Sequence, residues 1–176
     1  KNFINGGETK NYPSSPKSNW QKKIRYNPYT KKVFQVGDEL TDHEYSKHTE
    51  TVINRFNSMI KNGGKIDEKL KTKKFAQRLL PRKWMEKGPT ITACSLPDDF
   101  GHYHQPRVPT VREWARLQPF PDWSKFYGKR TTGGIRRAGN PLEKNYYREL
   151  PKYTQIGNAV PVKLAYEIGK HLKKFI

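Results

Sequence analysis

Cysteine is almost absent from this sequence of 176 residues, since Cys94 is the single one. No disulfide can form within the chain, which excludes a disulfide-stapled domain and is typical of a reducing compartment. We expect the Cys94 side chain to act as a small buried apolar group. The sequence also lacks an apolar run long enough to cross a bilayer and shows no signal-peptide pattern, so we expect a cytoplasmic protein.

Acidic residues are scarce as well. Lys and Arg number 35 against 16 Asp and Glu, which gives a net charge of +19, and only 33% of the residues are hydrophobic. These values predict a modest core under long loops and a polyanionic partner, with nucleic acid as the default. The alternative is a merely soluble, Lys-rich protein. The uneven charge argues against it, because three runs contain basic residues and no acid: residues 17–32, 69–83 and 125–137.

Apolar spacing predicts two longer helices. The first spans about Glu50 to Lys61 and should end at Gly63-Gly64. The second spans about Val160 to Lys174, with Pro161 tolerated in its first turn. Their apolar faces consist of Val52, Ile53, Phe56, Met59 and Ile60 in the first helix, and of Val160, Leu164, Ile168 and Leu172 in the second.

Weaker local signals precede the first helix. Glycine and proline punctuate residues 1–32, which favours a loop. Val33 to Val36 fits a short strand, and Thr41 to Glu44 has the spacing of a capping box. His43 and His48 lack further ligands at metal-site spacing, so we expect no metal there.

Two stretches carry more information. Pro109 to Asp122 reads PTVREWARLQPFPD, in which Thr110 and Glu113 form a capping box and two prolines end a short helix. Tyr153 to Pro161 reads YTQIGNAVP. Here Gly157-Asn158 predicts a tight turn, with Asn158 capping the next helix.

These two stretches resemble the last two signature motifs of the DNA (cytosine-5) methyltransferases. The strong resemblance covers residues 90–168, with departures at Pro119 and Val162. It implies a mixed α/β fold: an irregular target-recognition lobe with short strands and helices, and a C-terminal helix that belongs to a Rossmann-like methyltransferase domain. The implied divisions are residues 1–122 for target recognition, 123–152 for a basic connecting loop, and 153–176 for the part that completes the methyltransferase domain.

The resemblance also implies functional residues. Asn158 and Val160 would line the pocket for S-adenosylmethionine, and Gln155 and Gly157 would shape the turn beside it. Arg112 and Glu113 would hold the recognition region to the body of the enzyme without touching substrate.

DNA contacts are expected from one segment and from basic side chains. Thr90 and Ile91, with Thr92 beside them, occupy the segment that lies near the base being read in the family, although TIT also fits an ordinary strand. Basic side chains of the runs would contact phosphates, or else form a solvated surface. The candidates are Arg82, Lys83, Arg130, Arg136 and Arg137.

The catalytic motifs of the family are missing. Its thiolate follows a proline and its carboxylate sits in Glu-Asn-Val, whereas Cys94 follows Ala93 and no Glu-Asn-Val occurs. We therefore expect the target-recognition portion of a bacterial, archaeal or phage enzyme that methylates C5 of cytosine in duplex DNA. Its catalytic half would be another region or subunit, and this chain alone would be inactive. The alternatives are a non-catalytic DNA-binding or regulatory module and an RNA-binding protein; no membrane or metal partner is expected.

Overall fold

The computed structural model describes residues 3–71, 78–82, 91, 100–131, 140–144 and 146–175. Within these ranges helices and very short strands alternate with long irregular segments, which confirms the expected mixed α and β composition. The helices are α1 (Asn19–Ile24), α2 (Glu50–Lys61), α3 (Val111–Leu117), α4 (Lys152–Asn158) and α5 (Val162–Leu172). The strands are β1 (Tyr26–Asn27), β2 (Lys32–Val33), β3 (Arg78–Leu79) and β4 (Phe100–Gly101), and 3-10 turns span Glu68–Leu70 and Pro141–Glu143.

The prediction of a loop over residues 1–32 is wrong in its second half. Ser18 starts α1 with a full capping box: its hydroxyl accepts from the Gln21 N–H, and the Gln21 side chain accepts from the Ser18 N–H. β1 then pairs with β2 in antiparallel register. The Ser18-x-x-Gln21 spacing was a readable helix signal.

The two predictions between residues 33 and 44 need correction. The strand expected over Val33 to Val36 is confined to Lys32–Val33, because the Gln35 N–H turns back to the Asp38 carboxylate at 2.6 Å. No helix begins at Thr41, and residues 42–49 contain none. Asp42 takes a left-handed conformation with φ 60°, and Glu44 forms an antiparallel bridge with Glu8. Tertiary pairing with the N-terminal segment therefore overrides the local capping pattern.

Helix α2 is confirmed over the predicted residues, with Phe56 and Met59 buried. It ends as expected: Gly63 has φ 62°, and the Gly64 N–H donates to the Met59 carbonyl at 2.7 Å. This is a Schellman closure, in which a left-handed glycine allows the last carbonyls to be satisfied.

Two apolar clusters form the core. One consists of Phe56, Met59 and Val108; the other joins β3–β4 to α3 and α4 through Leu80, Phe100, Val111, Trp114, Ala115, Tyr153 and Ile156. β3 and β4 pair in parallel, with Leu79 beside Gly101. A Cβ at Gly101 would lie 2.7 Å from the Phe56 ring and 2.9 Å from the Leu79 side chain, so only glycine fits between α2 and the sheet.

The turn predicted at Gly157-Asn158 is wrong, because both residues belong to α4. Gly157 is buried, and the helix ends only where the Ala159 N–H bonds to the Ile156 carbonyl. Asn158 does not cap the next helix, whose N-cap is Pro161 without a side-chain cap bond. A residue before proline is biased toward extended backbone, which separates α4 from α5 at Val160.

Helix α5 is shorter than predicted and starts at Val162, so Pro161 lies before its first turn. None of its eleven residues, all within the described part of the chain, is buried. Its apolar stripe of Leu164, Ile168 and Leu172 is about half exposed. No helix among the described residues is long and apolar enough to cross a membrane.

Candidate functional site

Glu113 lies at the centre of the first signature stretch. Its carboxylate accepts from the Thr110 N–H at 2.8 Å, while the Thr110 hydroxyl accepts from the Glu113 N–H at 3.2 Å, which confirms the capping box. The Arg107 guanidinium donates two hydrogen bonds of 2.7 Å to the same carboxylate. Burial would raise the pKa of Glu113, but the bonds and charge of Arg107 outweigh it and lower that pKa to about 2.

Two histidines adjoin this ion pair. His43 Nδ1 lies 2.8 Å from the Thr110 hydroxyl, and His102 Nε2 lies 3.9 Å from the Glu113 carboxylate. Burial lowers the pKa of each to about 4, against the pull of Glu113, which favours protonation. Both imidazoles are therefore neutral at pH 7, and the capping box is enclosed by uncharged rings.

Arg112 is completely buried and joins α3 to the segment at Thr41. Its guanidinium donates to the Thr41 carbonyl at 3.2 Å, to the Thr41 hydroxyl at 2.7 Å and to the Ser124 carbonyl at 2.8 Å. Asp42 lies 3.5 Å away and also binds Lys152, at 2.7 Å. Arg112 thus faces inward, and the architectural role that the resemblance implies for it stays a prediction.

A second ion pair lies at the end of the first signature stretch. Arg116 donates to both oxygens of Asp122, at 2.9 and 2.6 Å, and the Tyr12 hydroxyl donates to Asp122 at 2.6 Å. Burial is the main cause that raises the Tyr12 pKa, and the Asp122 charge adds to it. Sequence reasoning missed these partners, and no spacing rule links Tyr12 to a residue 110 positions away.

The two signature stretches are packed together. The Tyr153 hydroxyl donates to the Pro109 carbonyl at 2.7 Å, and the Trp114 and Tyr153 rings meet edge to face, with centroids 6.3 Å apart. Ile156 completes the contact with no exposed surface. Motifs forty residues apart therefore form one folded unit.

Three of the candidate cofactor residues lie in the last turn of α4, and the fourth, Val160, lies two residues beyond its end. Asn158 and Val160 are exposed, whereas Gly157 is buried. The Gln155 amide donates to the carbonyls of Tyr127 and Leu150, both at 2.8 Å, and so ties the preceding loop to α4. These residues are close because they are neighbours in sequence, and the two expected pocket-lining residues are exposed.

The structure brings few of the candidate DNA-binding residues together. Ile91 packs against the larger core cluster, Arg82 is exposed, and Arg130 lines a surface groove with Lys47 and Tyr45. The remaining candidates, and Cys94, lie outside the described residues: Thr90, Thr92, Lys83, Arg136 and Arg137. Among the residues that the structure does describe, no three His, Cys, Asp or Glu side chains are grouped to hold a metal ion.

Comparison with known proteins decides the family. Residues 4–174 match the family described as C-5 cytosine-specific DNA methylase. The chain belongs to this family. Among curated relatives, it is 29% identical over 181 residues to the type II methyltransferase M.DdeI of Desulfomicrobium norvegicum. It is 32% identical over 132 residues to the type II methyltransferase M.AquIB of a Picosynechococcus strain.

The extent of these matches differs. The alignment with M.DdeI covers 95% of this chain but 38% of that methyltransferase, whereas the alignment with M.AquIB covers 74% of this chain and 86% of that protein. A rice DNA (cytosine-5)-methyltransferase 1A is 43% identical over 43% of the chain, which is 4% of its own length. The chain thus spans a minor part of M.DdeI and of the rice protein but most of M.AquIB.

Proposed function

We propose that this methylase chain is the target-recognition portion of a DNA (cytosine-5) methyltransferase. It binds duplex DNA, selects the sequence to be methylated and completes the S-adenosylmethionine pocket. The catalytic cysteine comes from another region of the same polypeptide or from a partner subunit. The observation that carries the proposal is the packed unit of α3 and α4 in a chain without the Pro-Cys and Glu-Asn-Val motifs.

The contacts around α3 support a joining role for that helix. Arg112 reaches Thr41, and Arg107 holds Glu113, so both ends of its first turn are tied to segments of the recognition region. On the other side, Trp114 and Tyr153 tie the helix to α4. A rigid joint of this kind would keep the DNA-reading residues at a fixed place relative to the reacting base.

The cofactor residues fit one wall of a pocket. Val160 is 63% exposed and offers an apolar surface, and the exposed Asn158 amide offers both hydrogen-bond donors and an acceptor. S-adenosylmethionine supplies the transferable methyl group when it is bound. Asn158 and Val160 would hold it from one side, Gln155 would keep the wall in place, and the catalytic half would enclose the rest.

The share of each relative's length that this chain matches supports a two-part enzyme. M.AquIB matches over 86% of its own length, so a curated methyltransferase chain of nearly this extent exists. Most other matches place the equivalent region inside a longer protein. Whether this chain acts as a subunit or as a region of one polypeptide is decided by the gene that encodes it.

The test is reconstitution. The full chain is mixed with the polypeptide that carries the Pro-Cys and Glu-Asn-Val motifs, supplied as the neighbouring gene product or the preceding region of the same gene. Methyl transfer to duplex DNA is expected from the mixture and not from the chain alone. Substituting Asn158→Ala with Val160→Ala should abolish transfer and leave DNA binding intact.

The alternative is a DNA-binding or regulatory module that has lost the methyltransferase reaction. It is favoured if the reconstituted mixture transfers no methyl groups while the wild-type chain and the double variant bind duplex DNA equally well. Strong transfer by the chain alone would contradict the proposal outright, because it would require a nucleophile within this sequence.

A further inference from the structure

An apolar groove separates α1 from α5. It encloses about 410 Å³ and is lined by residues of both helices together with Pro119 and Pro121. The wall residues are Trp20, Lys23 and Ile24 from α1, and Val162, Lys163, Tyr166 and Glu167 from α5. Trp20 remains 47% exposed and Tyr166 64% exposed, so the groove presents two large aromatic side chains to an incoming group.

Both helices that line the groove are attached to the rest of the fold. α1 is anchored because Ile24 is buried and its carbonyl accepts from the Asp122 N–H at 2.7 Å. Arg25 adds a bond to the Ser14 carbonyl at 2.8 Å and stacks over the Tyr12 ring at 4.2 Å. α5 is attached at its start, where the Val162 N–H reaches the Gln118 carbonyl at 3.4 Å.

The groove lies on the opposite side of α5 from its apolar stripe. Each helical residue turns by about 100°, so Tyr166 points roughly 200° away from Leu164. The stripe of Leu164, Ile168 and Leu172 is about half exposed. α5 therefore offers apolar side chains on two opposite faces, and a helix with this pattern belongs in an enclosed environment.

We propose that the groove is a second docking surface for the catalytic half, which clasps α5 from both sides. The inference rests on the proposed function and adds α1, with Trp20 as its anchor, to the interface. A body that covers the stripe lies within one helix diameter, about 10 Å, of the groove. The 62% of M.DdeI that the alignment leaves uncovered (the remainder from 38%) indicates the amount of polypeptide that can supply it.

Charge argues against one other occupant and the apolar lining against a second. A second copy of the chain would bring another +19 to a groove that already carries Lys23 and Lys163. DNA phosphates could pair with those two lysines, but the remaining lining consists of the Glu167 carboxylate, two prolines and apolar or aromatic side chains. An occupant with apolar side chains and an acidic rim suits the groove better than either, which is the pattern of an interface core with a complementary edge.

The experiment titrates the full chain with the polypeptide that carries the Pro-Cys and Glu-Asn-Val motifs. Trp20→Ala and Tyr166→Ala are each expected to weaken the complex about tenfold or more, as removal of a buried aromatic anchor does. Trp20→Phe should restore most of the affinity. Tyr26→Ala is the matched control: Tyr26 lies on the same basic segment, is 42% exposed and does not line the groove.

The other outcomes separate the two proposals. If Ile168→Glu weakens the complex while Trp20→Ala and Tyr166→Ala do not, the groove inference is wrong and the proposed function stands. If the wild-type chain does not bind the catalytic polypeptide, both are overturned. If the Trp20 and Tyr26 variants lose affinity for a 30-base-pair duplex and keep the protein complex, the groove is a nucleic-acid surface and the inference fails.

Discussion

Arg107 and Glu113 form the buried ion pair on which the start of α3 depends. Arg107 is 2% exposed, and its two bonds satisfy a carboxylate that also caps the helix. Arg107→Met should lower the free energy of unfolding by about 3 kcal/mol, because it leaves the partly buried Glu113 carboxylate without its cation. Urea denaturation measures this. Lys129→Met, at an exposed pair, should cost less than about 1 kcal/mol, and equal effects would contradict the prediction.

His43 and His102 make stability depend on pH. Their pKa values are lowered from 6.5 to about 4, so the unfolded chain binds more protons between those values. The contribution of each neutral histidine to the free energy of unfolding is therefore complete above pH 6.5. It is lost as the pH falls toward 4, by up to about 1.4 kcal/mol per pH unit for each histidine. Denaturation at pH 7, 6 and 5 should show this slope. His102→Gln should roughly halve it, and an unchanged slope would show that His102 is not buried neutral.

At this scale the sequence predicted bonds within a helix but not those between distant segments. The Thr110–Glu113 capping box follows from a spacing of three residues. Arg107 reaches Glu113 because the backbone turns back on itself, with the His102 N–H bonded to the Arg107 carbonyl at 2.7 Å. No local rule gives the path of such a loop.

At the scale of elements, α4 and α5 carry isoleucines in opposite environments. Ile156 has no exposed surface and packs in the larger core cluster, whereas Ile168 is 49% exposed. Ile156→Ala should destabilise the chain by about 2–5 kcal/mol through the cavity it leaves. Ile168→Ala should change the stability of the isolated chain by no more than about 0.5 kcal/mol. Thermal or urea unfolding of both variants checks the contrast, and a large loss for Ile168→Ala would place α5 against the body.

Sequence patterns correctly predicted the helices whose ends and buried faces are set by their own side chains. α2 and α3 have complete start or stop signals and one apolar face, and both were predicted correctly. The prediction of a Gly157-Asn158 turn was wrong because both residues belong to α4, which ends only at Asn158. The Gly-Asn dipeptide favours a turn by local preference, whereas the packing of Tyr153 and Ile156 against α3 keeps it helical.

For the whole molecule, a charge of +19 should dominate DNA binding. If about six phosphates are contacted, affinity for a 30-base-pair duplex should fall about 10³-fold between 50 and 200 mM salt. Arg82→Gln should reduce the slope of log affinity against log salt by about one, whereas Lys170→Gln on α5 should not change it. Fluorescence anisotropy at four salt concentrations measures both. A flat dependence would contradict phosphate binding, and equal affinity for RNA would favour the RNA-binding alternative.

The sequence by itself indicated the family through two motifs read from residue identity and order, and the family match over residues 4–174 established it. The sequence also determined the helices that local capping and spacing specify, and the strong positive charge. Only the tertiary structure decided which residues are the hydrogen-bond partners of the motif side chains: Arg107 for Glu113, Thr41 for Arg112, and Tyr12 for Asp122. The reason is physical. Buried charges need partners of the right geometry, and those partners come from whichever distant segment the fold brings within 3 Å, which no spacing along the chain records.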